Sequence, residues 1–388
     1  MRRRYALSIV ASLLAGSAAA QQLKVDASVG ELEARARRDS NDATAHYNLA
    51  LGYWSKKKWA EAGVSLRAAL ALDAGFAPAH LALAYLPRAS GEFWKEHTVL
   101  LGGGWQLVTY EAPDSVWEEF ERLYRRAFML DPLVDVRLIV ATEWRGGHID
   151  AYDRALFDYN DGKWPEAVRR FGELVADSNA YRGERAGLFE RILWYRALAL
   201  ERLGRREEAI QDLRRLMERS ERREQSDTLF RWPLRTNEYR YVLAYITQRA
   251  NDPNGAVALY QDALTVDLGL YPAHSRIADI YEGARMWPQA IEARRHAINA
   301  NPDDAGLHLG LGVTLAKAGR LAEAEGALAH ALELNPRESR AAYYLGIVRQ
   351  QQGKSAEARS TFERFIALAP SRYARQIDDA TQRLAALR

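Results

Sequence analysis

An all-α solenoid of about eight helical hairpins, interrupted by one insertion and closed by a C-terminal capping helix, is the fold this sequence predicts. Three observations predict it. Windows 271–304, 305–338 and 339–372 repeat one pattern at a period of 34 residues. Apolar residues recur at helical spacing in both halves of each window. Gly319 and Gly353 mark a mid-window turn, and Pro302, Pro336 and Pro370 end the units.

The chain opens with a segment that stands apart from any fold. Arg2, Arg3 and Arg4 precede an apolar stretch from Tyr5 to Leu14, and Ala18-Ala19-Ala20 supplies small residues before Gln21. This is the pattern of a cleaved export signal over 1–20, with a stretch too short to span a bilayer. A periplasmic or secreted protein is therefore expected. The full chain carries 54 basic and 51 acidic residues, a formal +3. Residues 1–20 hold three of the arginines and no acid, so the remainder is formally neutral. Without a net basic face, nucleic acid is not an expected partner. The chain has no cysteine, which excludes disulfides, thiolate metal sites, cysteine nucleophiles and a lipidated cysteine.

After an N-terminal segment, 21–42, the repeat phase runs through residues 43–147, 148–236 and 237–372, and 373–388 reads as an amphipathic capping helix. The C-terminal copies align closely. Ile277, Leu311 and Leu345 share a slot, followed by the small residues Ala278, Gly312 and Gly346. Ala290, Ala324 and Ala358 open the second apolar face, continued by Ala297 and Ala331. Upstream, windows 43–76, 148–181, 190–223 and 237–270 keep the phase, through Leu49-Ala50, Ala155, Ala197 and Leu243-Ala244. One hairpin cannot bury its apolar face alone, so neighbours must stack. Two breaks interrupt the pattern. A unit beginning at Ala79 stops at Pro87, and its second helix is expected only from Trp117 to Leu130, leaving an insertion over 87–116 around Gly102-Gly103-Gly104. A charged stretch from Ser220 to Thr236 forms the second break.

In period, small-residue placement and closing proline these windows resemble tetratricopeptide repeats. The resemblance implies a scaffold or adaptor that binds other proteins, here envelope components, and that is not an enzyme. It also implies that the first helix of each hairpin lines a concave groove. Tyr47, Tyr152, Trp194, Tyr241 and Tyr343 would then occupy one groove-directed slot, with Tyr159 and Tyr245 further along their helices. Tyrosine and tryptophan supply apolar area with a polar tip, which suits a binding surface. The same slot also suits packing between hairpins; the groove is the expectation carried forward. An alternative is recognition of glycan or peptidoglycan by these rings. Chaperone-type repeats clamp a terminal carboxylate with groove Lys and Asn residues. The corresponding positions here are Ser275, Arg276, Asp279, Leu309, Gly310, Val313, Tyr343 and Tyr344, which do not make that clamp.

Other chemistries find little support in the sequence. His46 and His80, His274 and His308, and His296 and His330 are each 34 residues apart, so the repeat explains their spacing. Without H-E-x-x-H or a tight cluster, neither a metal nor another cofactor is expected. The triple glycine lacks the P-loop spacing, and no G-x-S-x-G elbow occurs, so no catalytic residue is assigned. An enzyme site confined to the insertion is the remaining catalytic possibility. The insertion reads as a flexible loop or short hairpin that either contacts a partner or the membrane surface, or packs as a lid.

Overall fold

The computed structural model describes residues 27–91, 95–101, 105–134, 151–177, 186–226, 233–370 and 373–387. The expected export signal and the three glycines at 102–104 lie outside them. A first helix, α1 (Val29–Arg38), precedes the repeats. Its N-terminus is closed by a capping box: the Glu31 amide donates to Ser28 Oγ at 3.3 Å, and the Ser28 amide donates back to the Glu31 carboxylate at 2.7 Å. Arg35, Arg37 and Arg38 complement the carbonyl end.

Eight helix pairs follow in chain order among the described residues. They are α2 (Ala43–Ser55) and α3 (Trp59–Leu72), α4 (Ala77–Ser90) and α5 (Asp114–Leu130), α6 (Ala151–Asn160) and α7 (Trp164–Ala176), and α8 (Ala186–Arg202) and α9 (Arg206–Ser226). Then come α10 (Pro233–Arg249) and α11 (Pro253–Val266), α12 (Tyr271–Gly283) and α13 (Trp287–Ala300), α14 (Ala305–Lys317) and α15 (Leu321–Leu334), and α16 (Ser339–Gln351) and α17 (Ser355–Leu368). The final helix, α18 (Ala374–Ala386), packs on α17 as the expected cap.

Both expected breaks are narrower than the sequence suggests. Proline at 87 removes one backbone donor near the end of α4, yet the chain stays helical to Ser90. The insertion is a β-hairpin of β1 (Lys95–Leu101) and β2 (Trp105–Glu111), antiparallel from Lys95↔Glu111 to Leu101↔Trp105. Among the described residues the fold is thus all-α apart from this two-stranded insert, and α4 packs on α5 as the two halves of one divided hairpin. At the second break α9 continues to Ser226, and a buried 2.7 Å hydrogen bond joins the hydroxyls of Ser220 and Thr236.

The chain forms two compact units. One comprises 54–63 with 77–259, the other 27–53 and 64–76 with 260–388. In the first, α6 to α10 pack each on the next; in the second, α12 to α18 do the same.

Two recurring slots explain why the hairpins form. The last residue of the mid-hairpin turn has positive φ, 77° at Gly319 and 78° at Gly353. Stepping back by 34 residues, the slot is filled by Arg285 at 58° and Asn251 at 68°, so the geometry persists where glycine does not. The second slot lies on the second helix. Leu66, Phe171, Leu213, Tyr260, Leu328 and Phe362 all fill it and are fully buried. Close approach depends on the small residue facing it: a Cβ on Gly312 would lie 2.6 Å from Leu328 Cγ, and one on Gly346 2.6 Å from the Phe362 ring.

Candidate functional site

The candidate surface is built from the first helices of the hairpins, because a 34-residue repeat returns the same slot to each of them. Seven aromatic rings were expected there, and the structure separates them. Tyr47, Tyr152, Tyr159 and Tyr241 are 0–7 % exposed and lie in the interior rather than on an open groove. Each is covered by another ring of the chain. Tyr47 meets Phe76 edge-on at 5.3 Å, and Tyr152 tilts against Phe171 at 6.2 Å. Tyr159 sits between Trp164 at 5.3 Å and Tyr195 at 5.1 Å.

Tyr241 is covered from far along the chain. The C-terminal turn of α5 lies over it, with the Phe128 ring 5.9 Å away and the Tyr241 hydroxyl donating to the Met129 carbonyl at 3.3 Å. Arg202 of α8 donates to the Leu133 carbonyl just beyond, also at 3.3 Å. The end of α5 therefore sits against the helices whose rings were expected to stay open. Packing onto aromatic area removes it from water and satisfies the phenol at once.

Trp194, Tyr245 and Tyr343 keep partial exposure. Trp194 on α8 tilts against Tyr239 on α10 at 5.4 Å, so this contact bridges two first helices. Tyr245 lies further along α10 with the Arg249 guanidinium 5.8 Å from its centroid. Arg249 also bonds the buried Glu201 at 2.5 Å, and Arg206 faces the same carboxylate at 3.2 Å. Tyr245 is therefore a partly exposed ring beside a guanidinium that shares the buried Glu201 carboxylate with Arg206. Tyr343 is engaged differently: it donates to Asp379 of the capping helix at 2.7 Å. Burial first, and this bond second, push its phenol up to about 12.

Sequence reasoning missed a polar seam through the last repeats. Arg294 occupies the second-helix slot that leucine or an aromatic fills elsewhere, and its side chain is 12 % exposed. It donates to Asp279 at 2.6 Å, to the Thr314 hydroxyl at 3.2 Å and to the Ser275 carbonyl at 3.3 Å. Gly310 lies alongside, where a Cβ would make an ordinary 3.4 Å contact with the guanidinium. Glu282 joins through Lys317 and Thr314. Burial raises the Glu282 carboxyl, but those hydrogen bonds and the Arg294 charge outweigh it and hold it below its usual range. One repeat on, Glu325 accepts from Lys354 at 2.6 Å and Arg349 at 3.1 Å and is likewise held low. The signal for this seam was arginine at two positions, Arg294 and Arg349, where the aligned copies are mostly apolar or aromatic.

The histidines occupy repeat-equivalent slots. His46 bonds the Ser40 carbonyl at 3.1 Å and His308 the Pro302 carbonyl at 2.8 Å, each six residues back, tying the preceding turn to its helix. Among the described residues, no helix is long and apolar enough to cross a membrane.

Family models agree with this repeat architecture over part of the chain. Family models described as tetratricopeptide repeat match residues 275–333 and 315–373, and a further such model matches 191–220. No curated protein matches the chain. Among solved structures, the C-terminal part of a TPR repeat-containing protein from Cytophaga hutchinsonii is 17% identical, covers 61% of this chain and 87% of its own, with a TM-score of 0.48. MamA from Desulfovibrio magneticus RS-1 is 19% identical over 46% of this chain and 94% of its own, with a TM-score of 0.39. YrrB, described as a TPR protein with an unusual peptide-binding site, is 22% identical over 39% of this chain and 74% of its own, with a TM-score of 0.33.

Proposed function

Because the chain is a tetratricopeptide-repeat protein, we propose that it is a non-enzymatic scaffold that binds another protein through the first-helix face of α8 and α10, and that it works in the cell envelope. The observation that carries the binding site is the partial exposure of Trp194 and Tyr245. These rings stay partly open on adjacent first helices while Tyr152, Tyr159 and Tyr241, also on first helices, are buried. Rigid aromatic area beside guanidinium groups is the composition that concentrates binding energy in protein interfaces. The envelope assignment rests on the sequence of residues 1–20, and sequencing the N-terminus of the native protein should return Gln21; a chain beginning at Met1 would remove it.

The decisive variant is Trp194→Ala with Tyr245→Ala. Both rings are partly covered, Trp194 by Tyr239, so helicity should be retained with a melting temperature moderately below that of the parent chain. Capture of its partner from envelope fractions should be lost, because central interface aromatics each contribute about 2 kcal/mol or more. A variant that keeps both fold and partner would move the site elsewhere, first to the β-hairpin at 95–111.

A further inference from the structure

Two features within the unit containing 260–388 are shaped for each other but stand apart in one chain. The first is an apolar knob. Val266 at the end of α11 and Leu268 in the turn after it are 56 % and 78 % exposed. Asp267 holds that turn in place: its carboxylate accepts from the Gly269 amide at 3.0 Å, and its carbonyl from the Leu270 amide at 3.1 Å. Leu270 points inward and is buried, whereas Leu268 is left in water. The repeat gives no reason for leucine at this slot, because the next two units place the exposed prolines Pro302 and Pro336 there.

The second feature is a surface groove of about 350 Å³ between α13, α14 and α15, with Ile298, Leu311, Leu315 and Ala327 as its apolar lining. Leu315 forms its base at 2 % exposure. It is shorter than Tyr281 and Arg349, which fill the same slot one repeat before and after. Leu311 and Ala327 rest on the core below and stay partly open above. At the rim Arg295 meets Glu323 at 3.5 Å, with both side chains about half exposed. An ion pair so solvated contributes little and parts easily.

We infer that the groove receives the 266–268 turn of a second copy of this chain, so that copies join head to tail. Apolar side chains in water gain by entering an apolar groove, and both partners of the contact are present on every copy. Charge agrees with this occupant. The knob carries Asp262 and Asp267, while at the groove a single carboxylate, Glu323, serves both Arg295 and Arg320 and leaves positive charge in excess. Opposite potentials of this kind steer encounter and fix register. Knob and groove are different surfaces, so the contact is heterologous: each copy that offers its knob keeps its own groove open for the next. The contact is small beside the roughly 1,600 Å² of a stable interface, which makes the association transient and dependent on concentration.

Sedimentation velocity on the protein with its native N-terminus tests this between about 10 μM and 1 mM, the range of weak association. The average mass of the parent should rise with concentration. Leu268→Asp removes the knob and Ala327→Glu blocks the groove, and each variant alone should stay monomeric. Mixed in equal amounts they should form dimers and nothing larger, because one intact knob and one intact groove remain between them. Arg295→Glu, at a half-exposed position that the fold does not need, should weaken self-association roughly tenfold by setting acid against acid. Circular dichroism of each variant should match the parent. A parent that stays monomeric across the range overturns the inference. So does association that persists in Leu268→Asp or Arg295→Glu at the parent's strength, or a mixture of folded variants that fails to dimerise.

Discussion

Removing the hydroxyl of Tyr241 and removing its whole ring test different things. Tyr241→Phe deletes the bond to the Met129 carbonyl and should cost about 1 kcal/mol in urea denaturation. Tyr241→Ala empties a fully buried site under Phe128 and should cost roughly 3–5 kcal/mol. A much smaller loss from the alanine variant, with partner capture gone, would return Tyr241 to an open groove. The sequence placed this ring in the right slot but could not show its cover, because the covering residues lie more than one hundred positions away. Arg294 carries the opposite lesson. Its position in the repeat was legible, but a guanidinium in an apolar slot makes sense only once Asp279, Thr314 and the Ser275 carbonyl are seen around it.

At the scale of the element, the hairpin is where sequence and structure agree most closely. Helix starts, mid-hairpin turns and closing prolines are local signals; eight helix pairs are found among the described residues, and the last three first helices, at Tyr271, Ala305 and Ser339, keep the 34-residue step. The disagreements fall on Pro87 and on 220–226, where composition suggested a break but the chain stays helical. Gly312 tests the assigned phase within one hairpin. Its Cα faces Leu328 and the Ala324 carbonyl, so Gly312→Leu forces α14 away from α15. Overpacking of this kind costs on the order of 1–3 kcal/mol. Gly326→Leu is the control, because a Cβ there meets nothing within 4 Å. A melting temperature that falls for Gly312→Leu and holds for Gly326→Leu supports the phase; equal effects would reject it.

For the whole molecule, the distribution of shifted carboxyls predicts where acid acts first. In the unit containing 260–388, hydrogen bonds from Lys317 and Thr314, together with the charges of Lys317 and Arg294, hold Glu282 low against its burial. Lys354 chiefly does so for Glu325, and Arg383 for Asp379. A carboxyl with a depressed folded pKa adds stability above its unfolded value near 4, and that stability is lost as pH falls through the folded value. His274 works in the same direction from higher pH. Burial depresses it, so the unfolded chain takes up the proton first and stability begins to fall below about pH 6.5. The other unit is mixed. Arg205 holds Glu208 low, whereas burial keeps Asp212 raised despite Arg196. A raised carboxyl takes up its proton first in the folded state, so acid relieves its burial and partly offsets the loss at Glu208. Between pH 6.5 and 3, amide hydrogen exchange should therefore accelerate earlier in 271–387 than in 151–249. Uniform acceleration, or earlier opening of 151–249, would show that these ion pairs do not set the acid limit of the fold.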